Sequence, residues 1–71
     1  MKEYSEVIYS GQKMRDARRK AGIWSQKELA DRAGIAPNII SDLERGQRSL
    51  NATWANRIAE AIGIYAKDLI K

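Results

Sequence analysis

The sequence predicts an all-α protein, five short helices in one domain. Three observations carry that expectation. Capping residues precede successive apolar-periodic stretches, glycines follow them, and apolar residues within them recur at intervals of three and four. The alternation expected of a strand occurs only around Tyr4-Ser5-Glu6-Val7-Ile8-Tyr9. Residues 1–9 are therefore set apart as an N-terminal arm, a short strand or an early start to the first helix. Residues 10–71 form the folded domain.

The first helix starts near Ser10 or Gly11, either of which can cap it, and runs from Gln12 to Lys20 or Ala21. Met14, Ala17 and Ala21 share one face, and Gly22 stops it. Ser25, with Glu28 three residues later, reads as a capping box that opens the second helix. Leu29, Ala30 and Ala33 follow at helical spacing until Gly34. Pro37 falls in the first turn of the third helix, where its missing N–H costs nothing and its fixed φ suits a helix. Ile40 and Leu43 give that helix a narrow buried stripe ending at Gly46. Asn51 caps the fourth helix, in which Ala55, Ile58, Ala59 and Ile62 follow an i, i+3, i+4, i+7 pattern up to Gly63. A fifth short helix is expected over about Ala66 to Ile70, with Leu69 turned inward.

Composition narrows the classes of function. With 71 residues the chain is near the lower limit for a domain stabilised by its core alone. There is no cysteine and no histidine, so a disulfide framework is excluded and a metal centre is not expected. Stability must come from close helix packing, a partner chain, or both. No apolar run reaches membrane-spanning length, and the polar start Met1-Lys2-Glu3-Tyr4 is no signal peptide. The expectation is a cytoplasmic protein with no membrane partner. Enzymatic activity and a cofactor are not expected either: without His or Cys, and with the carboxylates taken up by capping and ion pairing, no nucleophile–base pair can be assembled. Thirteen Lys and Arg against nine Asp and Glu give a net charge of +4, which suits a polyanionic partner. The cations are concentrated in Lys13, Arg15, Arg18, Arg19 and Lys20, with Arg45 and Arg48 near Gly46.

The informative stretch is Ser25–Gly46, a helix of about two and a half turns, a tight turn at Gly34 and a second short helix. Ala30 stands where the two helices approach most closely, and Gly34 supplies the left-handed conformation of a sharp helix exit. Ile35, Ile40 and Leu43 pin the second of these helices against Leu29. This is the geometry of a helix-turn-helix, whose second helix can enter a DNA major groove while the first crosses the backbone.

Site roles follow from that geometry. Gln26, at the N-terminus of the second helix, should set its amide and the neighbouring N–H groups against a phosphate. Residues 37, 38, 41 and 42 point away from the Ile40/Leu43 stripe, toward the groove. Asn38 is the leading base-reading residue, because its amide can pair bidentately with adenine. Ser41 suits a base or a phosphate, and Pro37 and Ile39 offer apolar contact to a thymine methyl. Asp42 has two open roles: accepting from cytosine N4, or pairing with Arg45 or another cation without touching DNA. Phosphate contacts are expected from Arg45, Gln47 and Arg48, with Lys13, Arg19 and Lys20 as lesser candidates.

The segment resembles the lambda-repressor/Cro-like (XRE-type) helix-turn-helix family. The carrying pattern is Gln26-x-x-Leu29-Ala30, Gly34, then Ile40-x-x-Leu43-Glu44-x-Gly46. Gly11 to Arg18 is similar to that family's first helix, and Ile58 to Gly63 to its fourth. The resemblance implies a compact five-helix lambda-repressor-like DNA-binding domain. It also implies an ion pair between Arg18 and Glu44 that ties the first helix to the end of the third. Three features depart from the family pattern. One extra residue separates Gly22 from Gln26, Leu50 stands where proline is common, and Trp54 and Asn56 replace aliphatic residues. Ala36 lacks the family's frequent capping hydroxyl, a loss of about 1 kcal/mol. Trp24 is expected to be a partial core or lid residue. Trp54 and Tyr65 would be costly to leave fully exposed, which suggests a partner chain.

The expected function is a sequence-specific double-stranded DNA-binding transcriptional regulator, a repressor working as a homodimer on an inverted repeat. Its dimer surface would come from the fourth helix with Tyr65, Leu69 and Ile70, from the N-terminal arm, or from both. A second reading is an antitoxin-like or adaptor protein whose main role is binding a protein partner. Tyr4, Val7, Ile8, Tyr9 and Trp54 would then matter more than Asn38.

Overall fold

Three of the four helices begin on a side chain that supplies an acceptor to an otherwise orphaned N–H. Ser10 Oγ accepts from the N–H of Lys13 (3.2 Å), Ser25 Oγ from Glu28 (3.0 Å) and Asn51 Oδ1 from Trp54 (2.8 Å). In the computed structural model, which describes residues 7–71, these caps open α1 (Gly11–Lys20), α2 (Gln26–Ala33) and α4 (Ala52–Ile62). The remaining helix, α3 (Pro37–Glu44), begins after Ala36 with no side-chain cap and relies on Pro37 in its first turn. The second half of the capping box expected at Ser25 is not formed. The Glu28 carboxylate instead takes Arg32 one turn on, at 2.7 Å.

The fifth element is shorter and tighter than expected. Ala66–Leu69 is a 3-10 turn held by Asp68 N–H to Tyr65 C=O (2.9 Å) and Ile70 N–H to Lys67 C=O (3.2 Å). Four residues provide too few i→i−4 bonds to sustain an α-helix, so the turn closes on i→i−3 bonds. Beside it, residues 8–10 pair with residues 69–71. Tyr9 forms an antiparallel bridge with Ile70, flanked by Ser10 N–H to Leu69 C=O (2.7 Å) and Lys71 N–H to Ile8 C=O (2.8 Å). Of the expected arm or strand, residues 1–6 lie outside the described residues, and Val7 to Tyr9 contribute a single bridge.

Helical spacing on each element delivers one apolar stripe to a common core. Met14, Leu29, Ile40, Leu43, Ile58 and Leu69 are its largest fully buried helical or turn residues, with Ile23 contributed by the α1–α2 connection. Ala30, Ala55 and Ala59 are also buried, and their small side chains let α2, α3 and α4 approach closely. Leu50, at the position where a proline is frequent in related sequences, is buried and fills the base of α4. Four expected core positions are less enclosed, Ala17 and Ala33 being half-buried at the edge of the core. Ala21 is exposed because α1 ends at Lys20, and Ile62 is only half-buried in the last turn of α4. Leu69 has no exposed surface, so it belongs to this core and not to a dimer surface.

Trp24 departs from expectation more sharply, with 75% of its surface exposed. Trp24 lies in the α1–α2 connection, outside either helix, between buried Ile23 and the exposed cap Ser25. Ile23 occupies the inward position at 1% exposure, which turns Trp24 outward.

Two constraints set the angle between α1 and α3. The first is steric. Gly11 is the first residue of α1, and a Cβ there would collide with the backbone carbonyl of Leu43. The second is ionic. Arg18 Nε donates to Glu44 Oε2 (2.7 Å), its Nη2 to Glu44 Oε1 (3.2 Å) and its Nη1 to the Ile23 carbonyl (2.9 Å). Both side chains of the pair are at most 4% exposed. A buried pair of this kind orients elements more than it stabilises them, but removing one partner strands the other charge.

Two measurements test these constraints. Gly→Ala in a helix ordinarily gains about 0.5–1 kcal/mol, whereas Gly11→Ala should lose about 1–3 kcal/mol in thermal denaturation because backbone must move. Glu44→Ala should lose about 3–5 kcal/mol in urea denaturation, and an Arg18→Met/Glu44→Met double variant should recover most of it. Equal losses in the single and double variants would contradict this account.

Candidate nucleic-acid interface

Gly34 sets the relation between α2 and α3. It ends α2 with φ 69°, in the left-handed region, and its N–H bonds to the Ala30 carbonyl. Ile35 N–H reaches the same carbonyl at 3.0 Å, and Ile35 drops into the core. Three residues after α2 ends, α3 begins with Pro37 and Asn38 exposed at its N-terminus. Ile40 and Leu43 face inward at 0% and 1% exposure.

The predicted base-reading residues occupy the outer side of α3. Pro37 and Asn38 are exposed, and Ser41 and Asp42 are half-buried. Asn38 and Asp42 are one turn apart and lie in a single row along the helix. Ile39 is half-buried and packed against the core, so only part of its side chain remains for outside contact.

Asp42 is committed to cations within its own chain. Its Oδ1 accepts from Arg45 Nη2 at 3.2 Å, and Arg48 Nη2 lies 3.5 Å from its Oδ2. Arg48 also stands over the Trp54 ring, with Cζ 5.8 Å from the centroid. Trp54, at the start of α4, is half-buried because it packs against the core, whereas Tyr65 is 73% exposed although Lys67 Nζ lies 5.5 Å from its ring centroid. The expected phosphate-contacting residues Arg45, Gln47 and Arg48 are all exposed in the turn after α3.

Gln26 is held more firmly than a first-turn glutamine requires. Its Nε2 donates to Glu44 Oε1 at 3.0 Å, so the Arg18–Glu44 pair also orients this amide. One Nε2 proton remains for an external acceptor, next to first-turn N–H groups that have no intrahelical partner. Gln26 and Arg45 line one cleft of about 280 Å³, together with Arg15, Arg18, Arg19 and Glu44. Four guanidinium groups around one carboxylate make this cleft electropositive and suited to an anion. Lys13 is placed differently: its Nζ donates to the Ile70 carbonyl at 2.8 Å, fastening the C-terminus to α1.

Two residues emerge here that sequence reasoning did not assign to the site. Arg15 reaches the cleft beside Arg19, and the signal was their four-residue spacing on one helix face. Trp54 supports Arg48, a contact between two elements that no local pattern announces.

Comparisons with known proteins agree with this geometry. Residues 14–69 match the family model described as helix-turn-helix. The control protein C.BamHI of Bacillus amyloliquefaciens is 37% identical over 60 residues, covering 84% of this chain and 74% of that protein. An HTH-type transcriptional regulator of Methanothermobacter thermautotrophicus is 40% identical over 50 residues, 70% of this chain and 71% of its own. Among solved structures, the restriction-modification controller protein C.AhdI from Aeromonas hydrophila superposes with a TM-score of 0.78 at 32% identity. That match covers 83% of this chain and 88% of that one. The hypothetical transcription factor NHTF from Neisseria superposes with a TM-score of 0.76 at 26% identity, covering 97% of this chain and 87% of that one. With the α2–Gly34–α3 unit and the Arg18–Glu44 tie in place, the chain belongs to the lambda-repressor/Cro-like (XRE-type) family of helix-turn-helix proteins.

Proposed function

We propose that this protein is a sequence-specific, double-stranded DNA-binding transcriptional regulator that acts as a homodimer and represses from an inverted-repeat operator. The observation that carries the reading is the outer side of α3. It presents Asn38 at the helix N-terminus, where recognition helices meet base edges, and leads into Arg45, Gln47 and Arg48. The cleft lined by Gln26, Arg15, Arg19 and Arg45 supplies a seat for a backbone phosphate beside it. Phosphate contacts give affinity and register, and base contacts give selectivity.

One eight-residue helix covers only a few base pairs, so a two-fold assembly is the economical route to an operator. Two recognition helices about 34–36 Å apart would read successive half-sites on one face of DNA. Tyr65, Ile70, Val7 and Ile8 are exposed apolar residues in or beside the Tyr9–Ile70 bridge, and they are available for such a contact. Repression requires only occupancy of a promoter. The relatives named as control proteins support placing the regulator in a restriction–modification setting.

Selection from a random duplex pool should enrich an inverted repeat with half-site centres one helical turn apart. Sedimentation equilibrium should give a dimer at micromolar concentrations. Asn38→Ala should reduce discrimination at one base position per half-site by about 1–3 kcal/mol, with unchanged helical content by circular dichroism. An unstructured or single-half-site enrichment, or an unaltered preference in the Asn38 variant, would reject the reading.

A further inference from the structure

We propose that Asp42 is a specificity-determining residue that restrains the phosphate-binding arginines on DNA of the wrong sequence. The inference rests on the DNA-binding reading above and deepens it. Its basis is a row of four side chains, Trp54–Arg48–Asp42–Arg45. The Asp42 carboxylate sits between two guanidinium groups, at 3.2 Å from Arg45 and 3.5 Å from Arg48. Trp54 also holds Arg48, whose Cζ lies over its ring. A carboxylate on the DNA-facing row of α3 is repelled by phosphates, yet here it also occupies the two cations best placed to meet them.

On docking, phosphate oxygens compete with Asp42 for Arg45 and Arg48. Exposed ion pairs of this kind are weak, so the exchange is possible. Once the guanidinium groups leave, Asp42 is stranded beside the duplex without a partner. A base that presents an exocyclic amino group at that step, cytosine N4 or adenine N6, gives the carboxylate a new donor. A base that presents only acceptors leaves it uncompensated. Buried polar groups left unpaired are what make such discrimination steep. The two arginines therefore engage phosphate fully only where the sequence satisfies Asp42. Trp54 keeps Arg48 close enough to return when it does not.

The experiment compares Asp42→Asn with Glu60→Gln, which makes the same change in net charge at an exposed position on α4. The probe is a mixed-sequence duplex of 20 base pairs, titrated by fluorescence anisotropy between 50 and 200 mM salt. Each freed guanidinium should add about 0.9 to the slope of log affinity against log salt. Asp42→Asn should thus steepen the slope by about 1.8 relative to Glu60→Gln, an additional loss of roughly 12-fold across that range, and bind more tightly at 50 mM. Adding Arg45→Gln and Arg48→Gln to Asp42→Asn should abolish the steepening. Random-pool selection with Asp42→Asn should lose its preference for an amino-bearing base at one step per half-site. Equal slopes and affinities for the two single variants, or weaker binding by Asp42→Asn, would overturn the proposal while leaving the DNA-binding reading intact. Failure of the unaltered protein to bind any duplex in a salt-dependent way would overturn both.

Discussion

The bidentate bond between Arg18 and Glu44 is the interaction on which the rest of this structure depends. It lies at the meeting point of α1, the α1–α2 connection, the start of α2 and the end of α3. Arg18 also donates from Nη1 to the Ile23 carbonyl, which fixes the entry into α2, and Glu44 accepts a third bond from Gln26. The charges are nearly removed from water, so their partners must be complete, and in this cluster each carboxylate oxygen is engaged. The angle between α1 and the helix-turn-helix is thereby set by directional bonds. Apolar packing alone would allow it to slide.

The same cluster links framework and interface. Glu44 stabilises Arg18 on its buried side and orients Gln26 on its open side, so the amide at the α2 N-terminus inherits the rigidity of the core. Gly11 acts from the other direction. Its missing side chain lets α1 lie against the Leu43 carbonyl, which brings Arg15 and Arg19 to the cleft containing Gln26 and Arg45. A small domain without a disulfide can position polar groups to within hydrogen-bonding tolerance only if such ties reach from core to surface.

Charge on the DNA-facing side is restrained as well as concentrated. Arg45 and Arg48 are near the end of α3, but both are held by Asp42, and Arg48 also by Trp54. An unrestrained basic surface would bind any duplex through its phosphates. The acidic residue in the recognition helix looks anomalous as a single position. It becomes intelligible as part of a row that runs from α4, across the turn after α3, to the helix itself.

How much of this was legible without coordinates differs from element to element. Helix positions were, because caps and glycines act locally: Ser25, Asn51, Gly34 and Gly63 terminate helices through their own backbone and side-chain bonds. The buried stripe of Ile40 and Leu43, and hence the outward face carrying Asn38, followed from the 3.6-residue period alone. The Arg18–Glu44 pair was legible by family resemblance and not by spacing, since the two lie 26 residues apart. The last segment is tighter than the α-helix expected because four residues cannot carry α-helical bonding, and Trp24 lies outward because Ile23 takes the inward place in the α1–α2 connection. Of the two caps the sequence offers for α1, Ser10 takes the role, and Gly11 makes a close approach to α3 instead. Sequence by itself therefore determined the elements, their order and the face of α3 offered to a partner. Tertiary structure alone decided what Gln26, Asp42, Arg48 and Trp54 touch, because those contacts join residues that no local periodicity relates.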